Sequence, residues 1–411
     1  MKKQSLSALA AAGLLAGGLS VTSASAADLG GNCCADLEER IAELEATTAR
    51  KGNRKVSLTI SGWVAEQVTY WDDGGEDNVY VTGLGTTLGS NIKFTGQATI
   101  VPGWTAGYVL HLEADGSDAL TTNQATHNGP GFFAGTSNYV QTLQSYWFLR
   151  SESLGKVSVG LQSMVSDNAA ILVDGSGSLV PANWVAFDVA GFGIRQNGGV
   201  LSNQIWGTAG MCLPGDCYGI PVNSVRYDSP TFAGFSASAS WGDDDVWDVG
   251  LRYAGELIGF KVAATAVYAE SSGTGAQFGD SEYLQAGRYL QHIGTGLFGL
   301  VNYGDFKDNE AGLLGGDGET WYFKGGLRQR WTPLGHTVLY GEYMTSDGDV
   351  LNREFNWYGG GIVQEIDNAA MSLWLKYRNY EYDDNLANAA GGCAQGCEDM
   401  TEVTFGALIN F

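Results

Sequence analysis

An all-β fold is what the sequence predicts: a transmembrane antiparallel β-barrel of about sixteen strands, closed on itself. Three observations predict it. Charged residues make up only 16% of the chain, while there are 60 Gly, 12 Trp, 19 Tyr, 16 Phe and just 7 Pro. A soluble protein of this size carries about 25% charge. Mean hydropathy is −0.08, which fits a wall with one face in lipid and one in water. From Val56 onward, apolar residues recur with period two in segments of about ten residues, as the strands of membrane barrels do.

The first 26 residues stand apart from the fold. Lys2 and Lys3 supply a positive start, Leu6 to Val21 an apolar core, and Ala24-Ser25-Ala26 a small-residue cleavage site. This is an export signal, removed to leave Ala27-Asp28 at the mature start. Cys33 sits after Leu29-Gly30-Gly31-Asn32 in a poor context for lipidation. No other stretch reaches the roughly 18 apolar residues of a membrane helix, so any crossing must be made by strands.

Residues 27–55 form an N-terminal segment carrying a short helix over 36–50. Leu37, Ile41, Leu44 and Thr48 are spaced as a heptad seam, with Glu38, Glu39, Arg40, Glu43 and Glu45 outside it. Two heptads are marginal alone. Chains already joined through a barrel would make a coil feasible, although Ile41 and Thr48 at a with Leu37 and Leu44 at d favour two strands over three. The alternative is a solvated helical spacer.

The barrel proper is expected over 56–411. Its strands fall near 56–71, 88–101, 104–115, 139–152, 155–164, 223–229, 235–243, 246–256, 259–270, 282–293, 296–306, 319–332, 336–346, 354–366, 369–382 and 400–411. Short turns such as Pro102-Gly103, Ser153-Leu154 and Asp367-Asn368 alternate with long polar segments at 116–138, 165–222, 271–281, 307–318, 347–353 and 383–399. An outer-membrane barrel has short periplasmic turns and long external loops. An even strand count puts both ends of the barrel on the periplasmic side. In the last strand Val403, Phe405, Ala407, Ile409 and Phe411 share a face, opposite Glu402, Thr404 and Asn410. Trp104, Trp147, Trp321, Trp331, Trp357 and Phe411 at segment ends are expected to form interfacial girdles.

The net charge of −23 argues against a nucleic-acid partner, because nothing basic would neutralise phosphates. Cys212 and Cys217, and Cys393 and Cys397, are close pairs in polar segments and read as loop disulfides in an exported chain. A zinc site is the weaker rival, since His111, His127, His292 and His336 lie far from both pairs in sequence. Adjacent cysteines seldom bond each other, so Cys33 and Cys34 stay open. No Gly-x-Ser-x-Gly elbow or His-Glu-x-x-His motif is present, and neither an enzyme nor a cofactor is expected.

Three passages resemble the general porins, specifically the alphaproteobacterial ones. They are Asn223-Ser224-Val225-Arg226-Tyr227-Asp228-Ser229-Pro230 with the following Thr231-Phe232-Ala233-Gly234-Phe235; the terminal strand ending in Phe411; and Cys33-Cys34-Ala35-Asp36-Leu37-Glu38-Glu39-Arg40 leading into Val56-Ser57-Leu58-Thr59-Ile60-Ser61-Gly62. The resemblance spans the mature chain. It implies an outer-membrane homotrimer in contact with lipid and lipopolysaccharide, with a long third loop, here 165–222, folded into the lumen. It makes Asp167, Asp174 and Asp188 the acidic side of a constriction. Arg150, Arg226, Arg252, Lys324, Arg328, Arg330, Lys376 and Arg378 are its basic side on the wall. Opposed charges across a narrow pore orient dipolar solutes and make apolar ones costly to admit. The loop lacks the Pro-Glu-Phe-Gly-Gly string of enterobacterial porins; Val189-Ala190-Gly191-Phe192-Gly193 comes nearest. Phe411 resembles the signal read by the barrel-assembly machinery. Ala27-Asp28 resembles the mature start of barrels linked to peptidoglycan. The function implied is passive diffusion of small hydrophilic solutes and ions. The alternative is a solute-specific channel for a sugar, amino acid or anion.

Overall fold

The computed structural model describes residues 56–114, 116–127, 140–210, 216–272, 278–309, 316–349, 352–387 and 392–411. The segments expected to form an export signal (1–26) and a helix (36–50), together with Ala27, Asp28, Cys33, Cys34 and Cys212, lie outside the described residues.

Among the described residues nineteen strands occur in chain order: β1 Ser57–Asp72, β2 Asp77–Thr82, β3 Ser90–Val101, β4 Trp104–Ala114, β5 Val140–Ser151, β6 Gly155–Gln162, β7 Gly193–Arg195, β8 Leu201–Ile205, β9 Val222–Asp228, β10 Phe235–Gly242, β11 Trp247–Leu257, β12 Phe260–Ser271, β13 Ser281–His292, β14 Leu297–Asp308, β15 Gly318–Thr332, β16 Gly335–Gly348, β17 Arg353–Ile366, β18 Met371–Asp383 and β19 Met400–Asn410. β7 and β8 pair only with each other, and the other seventeen share one sheet. β2 and β3 both pair with the same side of β1, at Gln67–Asp72 and at Ser57–Trp63. They make one broken stave, so the sheet is an antiparallel ring of sixteen staves, closed where β19 pairs with β1. Phe411 completes that seam by exchanging two backbone hydrogen bonds with Gly62, each 3.1 Å long.

The period of two decides which side chains meet lipid. On β1 Val64 and Val68 are 56% and 41% exposed, while Ala65, Gln67 and Thr69, of the opposite parity, are buried toward the inside. On β19 Val403, Phe405 and Ile409 face outward and Glu402 and Thr404 inward, as the alternation predicts. Trp104, Trp147, Trp321, Trp331 and Phe411 are exposed on the outer surface. Trp357 corrects the girdle expectation. It is fully buried inside, with the Arg378 guanidinium 5.0 Å from its ring.

Tight turns close one rim. At Pro102-Gly103 proline presets the first turn dihedral, and glycine adopts φ +81°, which a side chain would resist. The opposite rim carries the long connections. The longest, between β6 and β9, enters the barrel. Its Ile171, Val173, Leu179, Trp184, Val185, Val189, Phe192 and Trp206 form one cluster with Trp63 and Trp71 of β1, Tyr322, Tyr340, Phe355, Trp357 and Tyr380. Burying each large apolar side chain contributes roughly 1.5–3 kcal/mol, so this segment is a packed plug held against one half of the wall. Gly287 on β13 makes the approach possible, since a Cβ there would lie 2.9 Å from the Ala170 carbonyl oxygen and 3.0 Å from its Cα.

Candidate functional site

The plug divides the inward-facing charges of the wall into two groups. The first lies behind it. Lys324 of β15 binds Asp174 at 2.5 Å, with side-chain exposures of 0% and 2%, and donates to the Ala182 carbonyl at 2.6 Å. Lys376 of β18 binds Asp188, and also Glu402 of β19 at 2.8 Å. Arg378 binds Glu342 at 2.7 Å and the Asn183 carbonyl at 2.9 Å. Gln67 of β1 donates to Asp188 from the other side of β19. Burial alone would raise the Asp188 carboxyl, but Lys376, Arg378 and Gln67 outweigh it and hold it below the usual carboxylate range.

These contacts correct the expected arrangement. Asp174 and Asp188 do not face Lys324, Lys376 and Arg378 across open water. The pairs touch and are sealed, because the loop's own apolar side chains pack around them. A buried ion pair is costly to break from one side, so these groups anchor the loop. Toward the tight-turn rim, Arg328 binds Glu365 at 2.7 Å and Arg330 binds the exposed Asp367; His336 lies 3.3 Å from Glu365.

The second group lies on the other half of the wall and lines a cavity between the loop root and β3–β6, β9 and β11. Lys93, His111, Lys156, Arg226, Arg252 and Asp167 are among its lining. Arg226 donates to the carbonyls of Ser163 and Met164 at 2.9 and 3.0 Å, and Arg252 to that of Val165 at 3.0 Å. Both therefore steer the chain inward at its entry point. Asp228 holds Arg226 at 2.8 Å and Lys156 at 3.1 Å. Arg150, on β5 where its ladder with β6 ends, is exposed. Lys93 and Lys156, which the sequence analysis did not single out, project inward because Lys93 pairs with inward His111 across β3–β4, and Lys156 with Arg150 and Asp228. Their parity within the strands carried that signal.

Asp167 is the predicted acidic residue that does line this cavity. Burial raises its carboxyl to about 6, against the pull of Ser163, Arg226 and Asn168 toward the ionised form. Asp216, also at the loop root, is raised well above the ordinary value by burial and then by Asp167.

A second clamp lies at the long-loop rim. Arg195 of the β7–β8 hairpin donates twice to Asp73, each at 2.9 Å. The hairpin also meets the final loop: Asn197 N donates to Gly396 O at 3.1 Å, and Glu398 N to Arg195 O at 2.8 Å. That loop is closed by the Cys393–Cys397 disulfide. Cys217 is also disulfide-bonded.

A closed ring of strands, apolar outside and polar within, narrowed by a segment of its own chain, defines an outer-membrane channel. The chain belongs to the Gram-negative porin family, whose sequence model matches residues 7–385. Among solved structures, the anion-selective porin from Comamonas acidovorans is similar over 87% of this chain and 100% of its own, with 18% identity and a TM-score of 0.53. The trimer form of OmpT from Vibrio cholerae matches over 87% and 99%, with 11% identity and a TM-score of 0.54. OmpF of Salmonella typhi, in complex with daunomycin, matches over 87% and 98%, with 11% identity and a TM-score of 0.53. At these identities the likeness carries the fold alone. No curated protein matches the sequence.

Proposed function

We propose that this outer-membrane channel is a general diffusion pore of the alphaproteobacterial type, working as a homotrimer. Solutes pass between the docked loop and the β3–β11 wall. The observation that carries this reading is the unequal wetting of the inward cations. Lys324, Lys376 and Arg378 have side-chain exposures of 0%, 3% and 1%, whereas Lys156 and Arg226 keep 29% and 14%. Water and solutes reach only the second set. Asp167 with Lys93, Lys156, Arg226 and Arg252 then makes the constriction, Arg150 stands exposed at the end of the β5–β6 ladder, and Asp174, Asp188, Lys324, Lys376 and Arg378 hold the loop that forms it. Arg328 and Arg330 belong to the periplasmic mouth.

The passages around Asn223–Phe235 and Cys33–Gly62 support the alphaproteobacterial assignment. The trimer form of a neighbour with the same fold supports the trimer, whose helices at 36–50 would meet in the periplasm below the barrel at 56–411. Phe411, aromatic and exposed at the seam, serves as the signal for the barrel-assembly machinery. Cys212 is the partner of Cys217, and Ala27-Asp28 the point of peptidoglycan attachment after removal of residues 1–26. Lipid and lipopolysaccharide cover the outer face. Purified protein in planar bilayers is expected to open in discrete steps, grouped in threes and proportional to salt. Current that saturates with one sugar or amino acid would instead support a solute-specific channel, and absence of steps would reject the pore.

A further inference from the structure

We propose that the passage selects small anions over cations, despite a chain charge of −23. This deepens the pore reading and rests on it. The charges that matter are those a solute meets where the lumen is narrowest, because fixed charges act over about a Debye length, ~8–10 Å at physiological salt. Four cations from four strands converge on the cavity between the loop root and the wall, which the pore reading takes as that narrowing: Lys93 of β3, Lys156 of β6, Arg226 of β9 and Arg252 of β11. One carboxylate, Asp167, shares the cavity lining with them.

Two wall carboxylates lie close to these cations. Asp228 is held by Arg226 and Lys156. Asp248 is fully buried and accepts from Ser166 and Ser240. Asp228, 22% exposed, pins the Arg226 and Lys156 heads to the wall and offsets part of their charge, whereas Asp248 presents no oxygen to the passage. Arg226 and Arg252 spend part of their donor set on the Ser163, Met164 and Val165 carbonyls, which fixes the guanidinium planes. A rigid guanidinium offers further N–H donors to an approaching anion. The acidity of the chain resides elsewhere. Asp174, Asp188, Glu342 and Glu402 are locked in contacts with wall cations, and Asp243 and Asp245 lie exposed beyond the strands. The narrowing is therefore cationic inside an anionic protein.

The test is the reversal potential across a planar bilayer under a KCl gradient. Wild type is expected to favour chloride over potassium by roughly threefold or more, with the ratio falling toward one as salt rises from about 0.1 to 1 M and screening shortens. The double variant K93Q/K156Q is expected to bring the ratio close to one at low salt, and K93E/K156E to invert it. D243N/D245N, outside the narrowing, leaves it unchanged. Potassium preference in wild type overturns the inference, as does a ratio insensitive to salt. If the lysine variants do not insert, the salt dependence of wild type still decides. Absence of any channel would instead defeat the pore reading itself.

Discussion

Removing the Asp174 carboxylate is expected to loosen the inner loop far more than removing any exterior charge. The Asp174–Lys324 pair is 2.5 Å long, with both side chains almost wholly out of water. In D174N the Lys324 ammonium would keep the Ala182 carbonyl at 2.6 Å and the Tyr340 ring at 5.8 Å, but no opposite charge. Leaving one partner of a buried pair alone costs about 3–5 kcal/mol. At about 1.4 kcal/mol per tenfold, the opening equilibrium of the loop should rise between roughly a hundredfold and a few thousandfold. Hydrogen exchange of the detergent-folded protein reads this directly. The Asp174 and Ala182 amides, bonded to Ile171 and Ser178 carbonyls, should exchange faster by that factor while the staves stay protected. The double variant D174L/K324M places two apolar groups beside the Tyr340 ring and should recover most of the protection. Wild-type exchange in D174N, or a double variant no slower than D174N, would refute the reasoning.

Two further outcomes follow from the same geometry. Asp167, raised to about 6 by burial, gains a proton as pH falls from 7 to 5, among Arg226, Arg252, Asp216 and Asp248. A raised carboxyl binds its proton more tightly in the folded state, so the loop root gains stability as pH drops through that value. The anion preference should rise over the same window, and D167N should remove that pH response. At the other rim, C393S/C397S opens a five-residue ring worth about 2 kcal/mol in the chain-entropy account. Trypsin should then cut after Arg195 faster than in wild type, where Arg195 is 6% exposed and held by Asp73; equal resistance would show that the disulfide does not clamp the hairpin.

The staves were legible because each one declares itself locally. Val403, Phe405 and Ile409 must share a face whatever lies beside them, and the sixteen predicted segments fall on the sixteen staves. The broken stave was hidden by its composition. Asp77–Thr82 lies among Gly74, Gly75, Gly83 and Gly85, turn residues that read as a loop. The plug was hidden for a different reason. Its apolar residues follow no period, because short 3-10 turns such as Ile171–Val173 replace regular elements. Asp174 meets Lys324, 150 positions away, only because the sheet curves around the loop. Sequence could name both charges, but their sealing required the third dimension. Trp357 fooled the girdle reading since an aromatic at a strand end looks alike on either face.

Asp188 has a position whose meaning extends to how the molecule is made. It touches Lys376 on β18 and Gln67 on β1, and between them Glu402 of β19 shares the same lysine. The first and last strands are the pieces of the barrel farthest apart in synthesis, and a mid-chain carboxylate grips both sides of their junction. Ring closure and seating of the loop thus become one cooperative event: a cylinder joined around an empty bore would lack the rivet at its join.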